Sequence, residues 1–292
     1  IHRDKGVVGT TKPEWLDRPP IEQSHDDQLS TSFDSDPLAD NLEILGAPKL
    51  RLIFPSDAPV ANLVLRLNDV RPDGKSWLVT WGVLNLTRRT SMSEPSQLEE
   101  GRTYTIDMDL RPIAHRFSSG SRIRLSLSEG LWPMIWPSPG NPTFTIASGQ
   151  STLSLPVRAA ERTPAPFPIR EVNGEAQPAP SYHPASPDGS AHVRIVNTTP
   201  AYSYKVAGAD SELSSGREEI CEITAGDPLS SKWRHTTSSS WKRGDWDCRI
   251  QASYVLICDA DAFHIEESLQ AWSNGESIAT IRNAASIPRD LI

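Results

Sequence analysis

Leu67-Asn68-Asp69-Val70-Arg71-Pro72-Asp73-Gly74-Lys75-Ser76 carries an alternating segment into a Pro-Asp-Gly turn, and Trp77-Leu78-Val79-Thr80-Trp81 leaves it. Pro72 presets φ, Asp73 can bond to its own backbone, and Gly74 tolerates the closing conformation, so the flanking runs read as a β-hairpin. The same period of two recurs on both sides. Leu63, Leu65 and Leu67 share a phase, as do Tyr104, Ile106, Met108 and Leu110, and Ile123, Leu125 and Leu127. Trp77, Val79, Trp81 and Val83 read as a further apolar face. Short alternating strands divided by Pro- and Gly-containing turns, with no helical period between them, imply an all-β fold: a two-sheet sandwich of jelly-roll type.

The rest of the chain repeats this logic at greater length. Asp247 to Cys258 and Phe263 to Trp272 read as long strands, and Ser273-Asn274-Gly275-Glu276 reads as a type I′ hairpin turn. With Tyr202 to Val206 and Glu219 to Ile223, these predict a second antiparallel β-meander domain, an open curved sheet or partial barrel. The expected division is a tail or linker over 1–28, a sandwich over 29–160, a Pro-rich linker over 161–190 and a C-terminal β domain over 191–292. Proline at 164, 166, 168, 178, 180, 184 and 187 excludes central strands from the linker.

Composition narrows function mainly by exclusion. A net charge of −8, from 29 basic and 37 acidic side chains, lacks the clustered positive field that nucleic acid requires. No apolar run reaches the roughly 20 residues needed to cross a bilayer. Ile1-His2-Arg3-Asp4-Lys5 holds no apolar signal core, and the missing initiator Met suggests a trimmed or truncated chain. Cys221, Cys248 and Cys258 form no CxxC pair and read as packed, reduced thiols of a cytoplasmic protein.

Catalytic signatures are sparse. Gly74-Lys75-Ser76-Trp77-Leu78, Gly149-Gln150-Ser151-Thr152-Leu153 and Gly275-Glu276-Ser277-Ile278-Ala279 approach a G-x-S-x-G elbow, but each lacks the last glycine and lies in β context. No assembled Ser-His-acid triad is expected, although triads follow no fixed sequence order. His115 reads as a structural hydrogen-bonding residue, and Asp107 and Asp109 as the wet side of a strand. The other histidines, at 2, 25, 183, 192, 235 and 264, form no zinc-ligand spacing, so neither a metal nor a cofactor is expected. Least explained by folding is Gly130-Leu131-Trp132-Pro133-Met134-Ile135-Trp136-Pro137-Ser138-Pro139-Gly140. Its apolar bulk on a Pro-stiffened loop makes Trp132, Met134 and Trp136 candidates for a substrate pocket or domain interface, against the alternative that they fill one end of the core.

Several of these segments occur in a familiar order. Pro37-Leu38, Leu42-Glu43-Ile44-Leu45-Gly46, Leu50-Arg51-Leu52, Ser56-Asp57-Ala58, Asp69-Val70 with Pro72-Asp73-Gly74, Gly101-Arg102-Thr103-Tyr104, and His115 to Leu125 together resemble the C-terminal β-region of cocaine-esterase-like (CocE/NonD), X-Pro dipeptidyl-peptidase-type serine hydrolases. The chain departs from that pattern at Ser121, where the family commonly carries His, and in the Trp-Pro-Met-Ile-Trp-Pro loop. The resemblance implies an α/β-hydrolase domain N-terminal to this chain, bearing Ser, Asp and His and hydrolysing esters or amides, including by dipeptidyl-peptidase activity. The chain itself would be the non-catalytic part that shapes the active site. Alternative readings are a stand-alone carbohydrate- or ligand-binding jelly-roll module and a dimerisation segment within a homo-oligomer.

Overall fold

In the computed structural model, residues 7–10, 21–143, 145–158, 181–183, 191–206 and 208–292 are described. They divide into two units, one of residues 1–162 with 290–292 and one of residues 163–289. The Pro-rich segment 161–190 lies outside the described residues except for Ser181–His183. Among the described residues both units are built of antiparallel sheets, and none of these closes into a barrel.

Among its described residues the first unit contains a short helix α1 (Ser24–Gln28) and nine strands: β1 (Thr31–Asp34), β2 (Leu42–Gly46), β3 (Lys49–Pro55), β4 (Asn62–Val70), β5 (Ser76–Asn85), β6 (Thr103–Asp109), β7 (Ile113–Phe117), β8 (Arg122–Ser128) and β9 (Thr152–Ser154). A four-stranded sheet of order β1-β8-β4-β5 faces a three-stranded sheet β6-β3-β9 and the pair β2-β7 across one apolar core. Leu63, Leu65 and Leu67 of β4, Tyr104, Ile106 and Met108 of β6, and Leu125 and Leu127 of β8 all enter that core, because alternation puts every second side chain on the inner face. Asp107 and Asp109 lie on the exposed face of β6 and pair with Arg51 and Lys49.

The Pro-Asp-Gly turn forms as the sequence predicts. Gly74 N–H donates to Arg71 C=O at 2.8 Å, and Gly74 takes φ +83°. A Cβ at Gly74 would meet nothing within 4 Å, so its positive φ alone opposes a side chain. Gly74→Ala is expected to cost about 1–2 kcal/mol with no change in the denaturant slope. A midpoint unaltered by the substitution would contradict the left-handed turn.

Strand β5 departs from simple alternation. Leu67 pairs with Thr80 but Asn68 pairs with Leu78, so Val79 is the extra residue of a β-bulge. Past the bulge the phase changes, so Val79 enters the main core while Trp81 and Val83 pack on the opposite side of the sheet. The reading of Trp77, Val79, Trp81 and Val83 as one face is corrected accordingly.

The second unit is a seven-stranded meander: β10 (Ser181–His183), β11 (His192–Lys205), β12 (Glu212–Thr224), β13 (Asp227–Arg243), β14 (Trp246–Cys258), β15 (Ala262–Ser273) and β16 (Glu276–Pro288), each paired with the next. Asn274 and Gly275 both take positive φ between β15 and β16, as a type I′ turn requires. Cys221 is buried, whereas Cys248 and Cys258 are only half-buried, and the three thiols form no disulfide. Burial, aided by Glu219 and Glu222, pushes the Cys221 thiol well above its ordinary range.

Candidate functional site

Strand β4 is buried on both faces. Its second face carries Val64, Arg66 and Asn68, and is covered by residues around Val8, by α1 and by the loop after β8. Residues 21–28, which composition groups with a tail, therefore pack against the sheet, with Gln23, Asp26 and Asp27 buried.

A polar network ties that cover down. Arg66 is fully buried; its Nη1 donates to Gln23 Oε1 at 2.7 Å, and its Nη2 donates to Asp26 C=O at 3.1 Å and Ser30 Oγ at 2.5 Å. The Asp27 carboxylate lies 3.4 Å from Arg66 Nη1. It accepts from Asn68 Nδ2 at 2.8 Å, Ser126 Oγ at 2.8 Å, Ser76 Oγ at 2.6 Å and Arg124 Nη1 at 3.3 Å. Burial pulls the Arg66 guanidinium below its usual value, and Asp26 and Asp27 oppose that shift. Arg124 forms a two-pronged bond to Asp34 at 2.7 Å on each prong, which lowers the Asp34 carboxyl and raises the guanidinium. A buried charge retained in this way needs partners on every side, and here they come from β4, β5, β8 and α1.

Beside this network the Trp-rich loop closes the same face. Leu131 and Met134 join Val8, Val64 and Trp81 in a second apolar cluster, with Ile135 packed against it. Trp132 is 3% exposed, whereas Trp136 is half-buried and meets the Trp132 ring edge-on at 5.3 Å. Asn62 Nδ2 donates to Trp136 C=O at 3.2 Å, and Trp132 N–H donates to Val8 C=O at 2.8 Å. Gly9, at φ +105°, lies so close that a Cβ there would fall 2.6 Å from Trp132 O. Of the three loop residues singled out in the sequence, Trp132 and Met134 anchor the loop inward and Trp136 remains partly open.

Other sequence candidates take structural places. His115 Nε2 lies 3.2 Å from Asp69 Oδ2, and its ring meets Phe117 edge-on. Ser121 is buried, and its Oγ has no hydrogen-bond partner among the described residues. No cluster of His, Cys, Asp and Glu suited to a metal ion occurs among the described residues. No helix among them is long and apolar enough to cross a membrane. What sequence reasoning missed is the Asp27–Arg66 network, whose members are 41 to 99 residues apart in sequence wherever Asp27 accepts from Asn68, Ser76 or Ser126.

Cocaine esterase of Rhodococcus sp. (strain MB1 Bresler) is 27% identical over 109 residues, which cover 37% of this chain and 19% of the esterase. An α-amino acid ester hydrolase structure superposes with a TM-score of 0.46 at 22% identity, covering 52% of this chain and 32% of that one. An aminopeptidase from a marine sediment Thaumarchaeota archaeon gives 0.44 at 17% identity, covering 53% of this chain and 33% of its own. The chain thus spans a third or less of each relative. The family model for the X-Pro dipeptidyl-peptidase C-terminal non-catalytic domain matches residues 5–174, more than half of the chain, and the chain belongs to that family.

Proposed function

We propose that this chain is the C-terminal portion of a CocE/NonD-type serine hydrolase, in which its first unit, the non-catalytic domain of that family, packs on an α/β-hydrolase domain and shapes the substrate site. The observation that carries the reading is the anchored loop. Leu131, Trp132 and Met134 fix it to the sandwich, while Ile135 and Trp136 leave apolar surface partly open on a Pro-stiffened backbone. Such a surface, rigid before contact, suits a domain interface because little entropy is lost on docking. The pairing of β1 with the late strand β8 supports a jelly-roll topology, and three cysteines with no CxxC pair, which cannot all pair within the chain, suit a reducing, cytoplasmic compartment. Ester or amide hydrolysis, including dipeptidyl-peptidase activity, would belong to the partner domain. The sugar-binding alternative is weakened because Trp132, one of its two stacking candidates, is buried.

The coding sequence upstream of Ile1 gives the direct test: a G-x-S-x-G elbow is expected there, and its absence would refute the reading. With that domain in hand, Trp136→Ala should weaken its association with this chain by about 2 kcal/mol, the scale of an interface hot spot. The denaturation midpoint of the chain alone should barely move. Unchanged association would remove Trp136 from the interface.

A further inference from the structure

The second unit assembles a polar cluster that the family assignment does not use. His264 on β15 faces Ser286 on β16 directly across the ladder, and Asp259 sits in the turn that leads into β15. His264 Nδ1 is 3.1 Å from Ser286 Oγ, and its Nε2 is 2.9 Å from Asp259 Oδ2. A carboxylate can only accept, so Nε2 carries a ring proton, and in the neutral imidazole Nδ1 is left to accept from the Ser286 hydroxyl. Asp259 is itself held: its Oδ1 accepts the backbone N–H groups of Asp261 and Ala262, each at 2.8 Å. The His264 bond first, and these two next, draw its carboxyl down to about 2, so it is ionised at neutral pH.

The strand register supplies the remaining part. Arg289 N–H donates to Asp261 C=O at 2.8 Å, which makes 261 and 289 a hydrogen-bonded pair. Antiparallel pairs alternate, so Phe263 with Ile287 is bonded and His264 with Ser286 is not. The Ser286 N–H therefore points away from β15, toward the open edge of the sheet, because β16 is its last strand. Pro288, which has no N–H, falls in the same outward phase. A non-bonded pair also brings its side chains closest, which lets a short hydroxyl reach the imidazole. Ser286 is exposed, and Ile257, 42% exposed on the far side of His264, offers apolar surface nearby.

We propose that Ser286 is an acyl-accepting nucleophile for short-chain carboxylic esters, with His264 as its general base and Asp259 as the positioning residue. Ser286 Oγ attacks the ester carbonyl carbon as its proton passes to His264 Nδ1, and the tetrahedral oxyanion accepts from the edge-facing Ser286 N–H. Collapse breaks the bond to the alcohol oxygen, which takes the proton from Nδ1 and leaves acyl-Ser286. Water then attacks that ester, giving its proton to Nδ1; the acid departs and the proton returns to Ser286 Oγ. Because Ser286 is exposed, turnover should be slow and weakly selective for the acyl group.

The test uses the whole 292-residue chain with a fluorophosphonate probe and p-nitrophenyl acetate, and peptide mass spectrometry to locate the label. Labelling is expected at Ser286 and should vanish in Ser286→Ala together with the ester turnover. His264→Gln should slow labelling about 100-fold, the scale of general-base assistance, with circular dichroism unchanged. Asp259→Asn should also slow labelling, a readout that a purely structural clip would not move. Absence of label on Ser286, or an equal labelling rate in His264→Gln, overturns the proposal and leaves the cluster as a clip between strands. Because all three residues lie in the second unit, either result leaves the proposed role of the first unit standing.

Discussion

Arg66→Ala is expected to remove about 3–5 kcal/mol of folding stability, the cost of breaking a buried charged pair from one side. The substitution withdraws the donors that reach Gln23 Oε1, Asp26 C=O and Ser30 Oγ, and it takes a cation from beside the Asp27 carboxylate. It also opens space against a strand that is buried on both faces. Equilibrium denaturation should show a lower midpoint. If α1 detaches before the sheets separate, the slope should fall as well, because less surface is left to expose. Asp27→Asn should be damaging for a different reason. Its amide nitrogen cannot accept, yet Asn68, Ser76 and Ser126 all aim donors at the carboxylate. A loss below about 1 kcal/mol for Arg66→Ala would mean that water enters and replaces the network.

Trp132→Ala should cost about 3–5 kcal/mol, the range for emptying a buried aromatic site. The ring is nearly inaccessible and supports Trp136 through an edge-on contact at 5.3 Å. Trp132→Phe is the informative companion. The indole N–H has no hydrogen-bond partner among the described residues, so removing it loses area but also relieves an unsatisfied donor. Phe should therefore recover most of what Ala loses. A Trp132→Ala chain as stable as the parent would show that the loop does not depend on its own anchor, and would weaken the interface proposal that rests on it.

Local chemistry made much of the architecture legible. The Pro72-Asp73-Gly74 and Asn274-Gly275 turns follow from φ alone, and the strand phases of Tyr104, Ile106 and Met108 or Ile123, Leu125 and Leu127 from which face must be buried. Where reading failed, a non-local partner or a phase change was responsible. Val79 moves to the other face because the ladder bulges, which no periodicity reports. Strand β13 contains His235-Thr236-Thr237-Ser238-Ser239-Ser240, polar on both phases, and gains its strand character from the long neighbours on either side. Asp26 and Asp27 look like solvated charges until Arg66, some forty residues later, is found above them. His264 looks isolated until the ladder sets Ser286 opposite, although Ser286 follows it by 22 positions. The Trp-rich loop could be singled out as unusual, but its split into an inward Trp132 and a partly open Trp136 depends on contacts with Val8 and Asn62.

The seam formed by Val8, Gly9 and α1 defines what can be moved between proteins. A chimaera cut at Thr31, where the strands begin, would carry every strand of the sandwich and still be incomplete. Arg66 and Asn68 would lose the groups that hold them, and Leu131 and Met134 would face water. That surface would be sticky as well as charged, a hazard for recombinant handling. The portable piece therefore starts before its first strand, and a graft onto a foreign catalytic body must bring the glycine at position 9 with it, since any side chain there would strike the Trp132 backbone.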